Sequence, residues 1–439
     1  MKIALVDIHS DRKMIVNKDL SGGFGTSSLY GKKIWSKILM GLKRRSVCLP
    51  ILAFGYVSAI LKNRGFEITA ANEIAPDVEM YIIYSSSVEH TAEINFAKKV
   101  RTETKARVGF AGALATVKPE LFTEFSDFVI VGEPESFAMN LSEGSLPAGI
   151  IKSNPIENLD LLPFPDWEPF SISDFCYKPY IRRGPFFPVL SSRGCPYSCT
   201  YYCPYSALGG TKIRKRSVGN VLEEIEYLVS RYGAKGILLR DPVFTFDRTR
   251  VKEIAEGLQS RGIEIEWACE THLRNLDFEL IDTMFKSGLR GVNVGIEAID
   301  EEVLKRSKRV SADAGFQKKI IDYCENKGIK IGAFYIIGSP ADTEETINHT
   351  IDYAKKLNTS YAQFTVCTPY PGTKFYEDIR DKITEKDWNK FDIYTLVFKH
   401  PNLSSEKIES QKEKAYFEYY FRLQWIWKFI TRSMKRWFL

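Results

Sequence analysis

The sequence predicts two successive α/β units, and three observations carry that reading. Apolar runs of strand length alternate with amphipathic helical stretches along most of the 439 residues. The alternation has a short period over residues 1–150 and a longer one after residue 188. Between them lies a proline-rich, aromatic stretch without periodicity, NPIENLDLLPFPDWEPF, which reads as a linker over 151–187.

In the first unit, KIALVD (2–7), EMYIIYSSS (79–87), ARVGFAG (106–112) and DFVIVGE (127–133) read as buried parallel strands. Residues 50–64 show helical spacing of apolar side chains before Gly65. Such a pattern predicts a doubly wound sheet with its ligand outside the carboxyl ends of the strands, at 7–11, 85–89, 112–116 and 132–135. In the second unit, strands are expected at 189–192, 236–240, 263–268, 291–296, 329–337 and 361–367. A helix from Val218 ends before Gly233. Six strands with covering helices predict a partial barrel over 188–400. A last segment, 401–439, is helical; from Arg422 it has five basic and no acidic residues, interleaved with aromatic ones. It is expected to dock on the barrel or to lie along a membrane surface.

Composition excludes little. Charged residues are 26% and the net charge of +6 is modest, so nucleic acid is not expected as a partner. No run of about 20 apolar residues predicts a spanning helix. A cytoplasmic location, with peripheral membrane association through the last helix as an extension, is the expectation. It makes a disulfide explanation for clustered cysteines unattractive.

Three of the eight cysteines, Cys195, Cys199 and Cys203, fall within the stretch SRGCPYSCTYYCPY. This loop follows the first strand of the second unit, on the face where βα proteins place their chemistry. Three thiolates suit a soft metal. A closed zinc site needs four ligands, and the histidines at 9, 90, 272, 349 and 400 are scattered. An iron–sulfur cluster usually takes four thiolates as well; three leave one iron open to a substrate.

The stretch GCPYSCTYYCPY resembles the cluster loop of the radical S-adenosylmethionine (SAM) superfamily. It departs from the commonest CxxxCxxC by one residue, which a loop can absorb. LLRDPVFTFDRTRV, IEWACETHLRNLD, GVNVGIEAIDEEVLKRSKR, FYIIGSPADTEE and CTPYPGTKFYE resemble, in order, the family's later strands and loops. The resemblance implies a [4Fe-4S] cluster on Cys195, Cys199 and Cys203. It implies SAM at the open iron, cleaved reductively to a 5′-deoxyadenosyl radical. It places Tyr202 and Asp241 at SAM, Asp241 matching the residue that meets its amino group. Glu270 would face the pocket mouth and Glu297 would bind the ribose hydroxyls.

The first 150 residues resemble the flavodoxin-like, cobalamin (B12)-binding domain that precedes the barrel in one branch of this family. That branch holds the class B methyltransferases and the anaerobic magnesium-protoporphyrin monomethyl ester cyclase. Ser85, Gly112 and Gly132 are the small strand-end residues that would lie against cobalamin. His9, in Asp7-Ile8-His9, matches the cobalt-ligating histidine of a different cobalamin motif, although Arg12 stands where that motif has glycine. The resemblance implies cobalamin-dependent methylation of an unactivated carbon. An oxidative cyclase or rearrangement enzyme is the alternative, and a non-catalytic iron–sulfur and corrinoid protein is the alternative of another class. Expected partners are a small-molecule or lipid-linked substrate and a reductase such as flavodoxin or ferredoxin.

Overall fold

A computed structural model describes residues 1–9, 16–27, 29–44 and 46–434. Two six-stranded parallel sheets dominate it. The first contains β1 (Lys2–Val6), β2 (Glu67–Ala71), β3 (Met80–Ser85), β4 (Arg107–Gly112), β5 (Phe128–Gly132) and β6 (Gly149–Ser153). Their spatial order is β2-β1-β3-β4-β5-β6, with every pair parallel. This is the doubly wound order in which the chain reverses direction between β1 and β3. The four apolar runs read from the sequence are β1, β3, β4 and β5. The edge strands β2 and β6, EITAA and GIIKS, were not anticipated, and β6 straddles the boundary expected at residue 150.

The second sheet contains β7 (Phe186–Val189), β8 (Gly236–Leu239), β9 (Glu266–Thr271), β10 (Leu289–Glu297), β11 (Lys330–Ile337) and β12 (Tyr361–Val366). They pair in sequence order, all parallel. Each crossover carries a helix or helical segment, so the sheet winds in one direction as an open arc. Strands β7 and β9 lie a few residues from their expected positions: 189–192 and 263–268 in the sequence reading, 186–189 and 266–271 in the structure.

Two helices join the layers. They are α2 (Leu52–Asn63) and α3 (Val218–Tyr232), which follow α1 (Ile34–Arg44) in the chain. Ser217 caps α3, accepting from Asn220 N, and Gly233 ends it in the left-handed region, as that glycine suggests. The linker is packed between the two helices. Trp167 is fully buried and its ring lies where a side chain at Gly55 would stand. Asp166 accepts from Ser58 Oγ at 2.6 Å, and Trp167 N donates to the Tyr232 hydroxyl at 3.1 Å. One continuous apolar core therefore runs through both sheets.

Helix α4 (Ser405–Tyr420) closes the free edge of β12. The hydroxyls of Tyr416 and Tyr420, one turn apart, each accept from an edge N–H and donate to the same residue's carbonyl, at Phe364 and Ala362. The edge is thus satisfied by side chains instead of another strand. Helix α5 (Leu423–Met434) follows. Among the described residues, no helix is long and apolar enough to cross a membrane.

Candidate radical SAM site

The three cysteines lie on the loop after β7, at the carboxyl end of the second sheet. The loop is closed at its base by a short antiparallel pairing of Ser192–Arg193 with Arg214–Lys215. Gly194 turns the chain at φ +93, and a Cβ there would strike the Lys212 carbonyl carbon at 2.9 Å, so the turn requires glycine. Cys195 N donates to Gly210 O at 3.1 Å, and Cys203 N donates to Cys199 O at 3.1 Å. That second bond spans four residues, as in one helical turn. It sets the side chains of Cys199 and Cys203 on one face, so CxxxCxxxC keeps its last two thiols together. Cys195 and Cys199 are buried and Cys203 is half-buried.

The thiols of Cys199 and Cys203 share a hydrogen bond. That bond, with the nearby Arg309 guanidinium, brings Cys199 down to about 6 against the burial that opposes it. The same bond and burial push Cys203 well up. A pair in which one sulfur is readily ionised is a donor set for a soft metal. Among the described residues, no three of His, Cys, Asp and Glu are gathered as around one metal ion. A cluster whose iron corners are separate makes no such demand, and the three thiols fit it in number and chemistry.

Glu297, the last residue of β10, has φ +70, and the register with β11 shifts beside it. A glutamate in the left-handed region costs about 1–3 kcal/mol, and such strain gathers at functional sites. Its Oε1 lies 3.6 Å from Arg309 Nη2, and Tyr202 donates to the carboxylate. Burial pushes the Glu297 carboxyl up, against the Arg309 charge and the Tyr202 hydrogen bond. Arg309 Nη2 also donates to Gly295 O at 2.8 Å, and Nη1 reaches Cys199 Sγ at 3.9 Å. The structure thus brings Tyr202, Glu297 and Cys199 together around Arg309, a residue to which the sequence reading assigned no part. Tyr202, Glu297, Ile336, Ser339 and Pro340 line one pocket.

Asp241 and Glu270 stand elsewhere. Asp241 is 1% exposed, and its carboxylate accepts from Ser191 N at 3.0 Å, Ser191 Oγ at 2.7 Å and Ser192 Oγ. It holds the root of the cysteine loop. Glu270 accepts from Arg240 Nη1 at 2.7 Å, and Arg240 Nε donates to Asp19 at 3.0 Å, so this triad ties the second sheet to the segment after β1.

A second clamp joins the cysteine loop to the first sheet. Arg193, two residues before Cys195, pairs with Glu135 at 2.6 Å and Glu133 at 3.0 Å. Arg214, on the other side of the loop base, pairs with Glu133 at 2.6 Å.

At the carboxyl edge of the first sheet, Ser85 Oγ accepts from Ala115 N at 2.9 Å. Gly112 and Gly132 have φ +107 and +104, and a Cβ on Gly112 would meet the Ser85 carbonyl at 2.7 Å. Their small size thus already serves close backbone approach within the layer. The SGGFG turn covers this edge: Ser87 N and Oγ donate to Phe24 O at 3.0 and 2.8 Å, and Phe24 stacks on Tyr370 of the second unit. A corrinoid fits this cradle in the smallness of its residues, and needs residues 22–25 to withdraw. His9 pairs with Asp7 at 3.2 Å, and buried Lys18 bridges Asp7 and Glu93, each at 3.0 Å. His9 is thereby engaged in an ion network; its neighbours from Ser10 to Arg12 lie outside the described residues.

Residues 189–354 match the Radical SAM superfamily, and the chain carries a radical SAM domain. It is similar to an uncharacterized methyltransferase of Pyrococcus horikoshii (30% identity over 282 residues, 62% of this chain and 60% of that protein). It is also similar to bacteriochlorophyllide d C-12(1)-methyltransferase of Chlorobaculum tepidum (24% over 405 residues, 86% of each). Among solved structures, it resembles the cobalamin-dependent SAM radical enzyme OxsB with aqua-cobalamin and SAM bound. There the TM-score is 0.66 at 11% identity, covering 96% of this chain and 67% of OxsB. The α/β fold with its parallel sheets is that of cobalamin-dependent radical SAM enzymes.

Proposed function

We propose that this chain is a radical SAM enzyme that methylates an unactivated carbon with the help of cobalamin. The observation that carries the reading is a three-cysteine loop at the carboxyl end of a singly wound parallel sheet, clamped to a doubly wound layer beneath it. The methyltransferases to which the chain is similar support it.

In this reading Cys195, Cys199 and Cys203 hold a [4Fe-4S] cluster, and Tyr202 and Glu297 bind the adenosyl moiety of SAM. Cluster and SAM together supply a 5′-deoxyadenosyl radical, and a corrinoid at Ser85, Gly112 and Gly132 supplies the methyl group. The chain's own residues do the rest. Arg309 fixes the Glu297 carboxylate and keeps positive charge beside Cys199. Asp241 holds the loop root, and its assignment to the SAM amino group passes to a positioning role. Glu270, through Arg240 and Asp19, holds the two units in register. The rings of Tyr197 and Tyr201 pack on Phe246 and Phe375 and steady the loop.

The domain layout in this reading is a B12-binding flavodoxin-like unit ending at β6, a linker to residue 185, a partial (β/α)6 barrel from β7 at residue 186 to residue 400 and a C-terminal helical segment. The substrate is a small or lipid-linked molecule, and a flavodoxin or ferredoxin supplies electrons.

The test is anaerobic reconstitution with iron, sulfide and corrinoid quantified together, followed by assay of 5′-deoxyadenosine. Alanine at Cys195, Cys199 or Cys203 should abolish both iron retention and 5′-deoxyadenosine; unchanged nucleoside formation would refute the reading. Corrinoid loading should accelerate amide exchange at residues 22–25, and unchanged exchange with corrinoid bound would place the corrinoid elsewhere.

A further inference from the structure

Helices α1 and α5 come from distant parts of the sequence and both pack against α4. Helix α1 turns Ile34, Ile38 and Leu42 outward, spaced by four residues, at 80%, 57% and 65% exposure. Helix α5 turns out Leu423, Trp427 and Ile430 at helical spacing, and Trp427 is 70% exposed. Trp35 brings α1 to the end of α4 that leads into α5: its ring lies 5.7 Å from Phe417 and 5.9 Å from Phe421, both exposed, and α5 begins two residues after Phe421. Isolated exposed apolar side chains are ordinary, but two adjoining ridges of them mark an interaction surface.

Charge identifies what it meets. Residues 31–45 carry six basic and no acidic residues, and residues 421–439 carry five and none. With a net charge of +6 over the chain, everything outside these two segments sums to −5. Part of this charge is spent locally: Lys32 pairs with Glu409, Lys33 with Glu413 and Lys428 with Glu325. Of the remainder, Lys37 stands exposed beside Ile38 on α1, and the other basic residues flank the ridges in sequence. A second copy docked through the same face would set like charges against like. Five of the six ridge residues, Ile34, Ile38, Leu42, Leu423 and Ile430, are aliphatic and offer nucleic acid neither stacking faces nor hydrogen bonds. Apolar ridges flanked by basic residues, on helices lying flat on the surface, match an anionic lipid bilayer.

We propose that α1 and α5 together form a membrane-docking surface that seats the enzyme on anionic lipid without spanning it. Trp427 and the aliphatic ridge enter the interface while the lysines meet lipid phosphates. Combined with the proposed chemistry, on which this clause alone rests, the surface makes a membrane-resident amphiphile the substrate class.

The test is co-sedimentation of the full-length, cluster-loaded protein with vesicles of about one-third phosphatidylglycerol in phosphatidylcholine, against phosphatidylcholine alone. Binding should be at least tenfold tighter to the anionic vesicles and should weaken as salt rises. Ile38→Asp and Trp427→Asp, both exposed and outside the radical site, should each lower it tenfold or more while 5′-deoxyadenosine formation in solution stays unchanged. Equal binding by wild type and both variants, or none by wild type at low salt, would overturn the proposal. Light scattering that shows a dimer dissolved by the same substitutions would assign the face to a second copy and also overturn it. Vesicle binding is read without turnover, so its failure leaves the radical chemistry separately testable.

Discussion

Glu133 offers the sharpest test of how the cysteine loop is held. Its carboxylate takes Arg193 on one oxygen and Arg214 on the other, and also accepts from Ile156 N at 2.9 Å. The three side chains are 11%, 14% and 6% exposed. Replacing Glu133 with glutamine keeps the shape and removes the charge that two buried guanidiniums share. Breaking a buried ion pair by removing one partner costs about 3–5 kcal/mol. Glutamine still offers one acceptor, so the lower end applies, about 3 kcal/mol. At an m-value of about 3 kcal/mol/M, the urea midpoint of E133Q should fall by about 1 M. Iron retention should fall with it, since Arg193 and Arg214 frame the loop. A double-mutant cycle with Arg214→Met isolates the pair. A midpoint shift below about 0.3 M, or a coupling indistinguishable from zero, would refute the clamp.

The same group sets an acid limit. Burial pushes the Glu133 carboxyl up, but the Arg193 charge and the hydrogen bonds from Arg214 and Ile156 prevail and hold it below the ordinary range. A carboxyl depressed in the folded state contributes stability above its unfolded pKa, about 4.3, and loses that contribution as pH falls through the folded value. The gap between wild type and E133Q should therefore be full at neutral pH and close below about pH 4.

Other perturbations have equally definite outcomes. Glu297→Gln should raise the dissociation constant for SAM about tenfold, some 1.4 kcal/mol, in equilibrium dialysis of the cluster-loaded protein, with iron content unchanged; unaltered affinity would remove Glu297 from the SAM site. Gly291→Ala places a methyl on the Tyr180 ring, whose hydroxyl donates to Asn293 at 2.5 Å, and should cost about 1–3 kcal/mol in urea unfolding. The Asp7 carboxylate holds the His9 imidazole above its usual range, against burial. A histidine raised in the folded state stabilises below its unfolded pKa of about 6.5 and loses this as pH rises through the folded value. His9→Gln should thus narrow its stability deficit between neutral and alkaline pH, and a deficit independent of pH would dissolve the Asp7 pairing.

Much of this architecture was legible because burial writes itself into composition. Strands β3, β4 and β5 are covered on both faces, so their sequences are apolar runs, whereas the edge strands EITAA and GIIKS are half polar and look like loop. The cysteine loop was legible because its donors are local: Cys195, Cys199 and Cys203 lie within nine residues. The groups that hold the loop are not local. Arg193 reaches Glu135 across 58 residues, Arg214 reaches Glu133 across 81, and Arg240 reaches Asp19 across 221. No period or motif marks such pairs. Arg309 stood inside a stretch already singled out, yet only the fold shows that its guanidinium faces both Glu297 and Cys199.

That division between local donors and distant clamps has a functional logic. Tyr197 and Tyr201 pack the tip of the loop on neighbouring rings, but its root and base, Ser191 to Arg193 and Arg214, are polar, and Gly194 gives the chain backbone freedom there. Its geometry must come from outside. Asp241 and Arg250 grip Ser191 at its root, and Glu133 and Glu135 grip the arginines at its base. The latter two belong to the first layer, the one proposed to carry the corrinoid. Disturbing that layer should therefore alter the cluster loop without touching a cysteine. Glu135→Gln, remote from any thiol, should lower iron retention more than Glu157→Gln, whose partner Lys212 lies exposed on the same loop. Equal iron retention in the two variants would mean that the loop holds its own shape and that the two layers are merely adjacent.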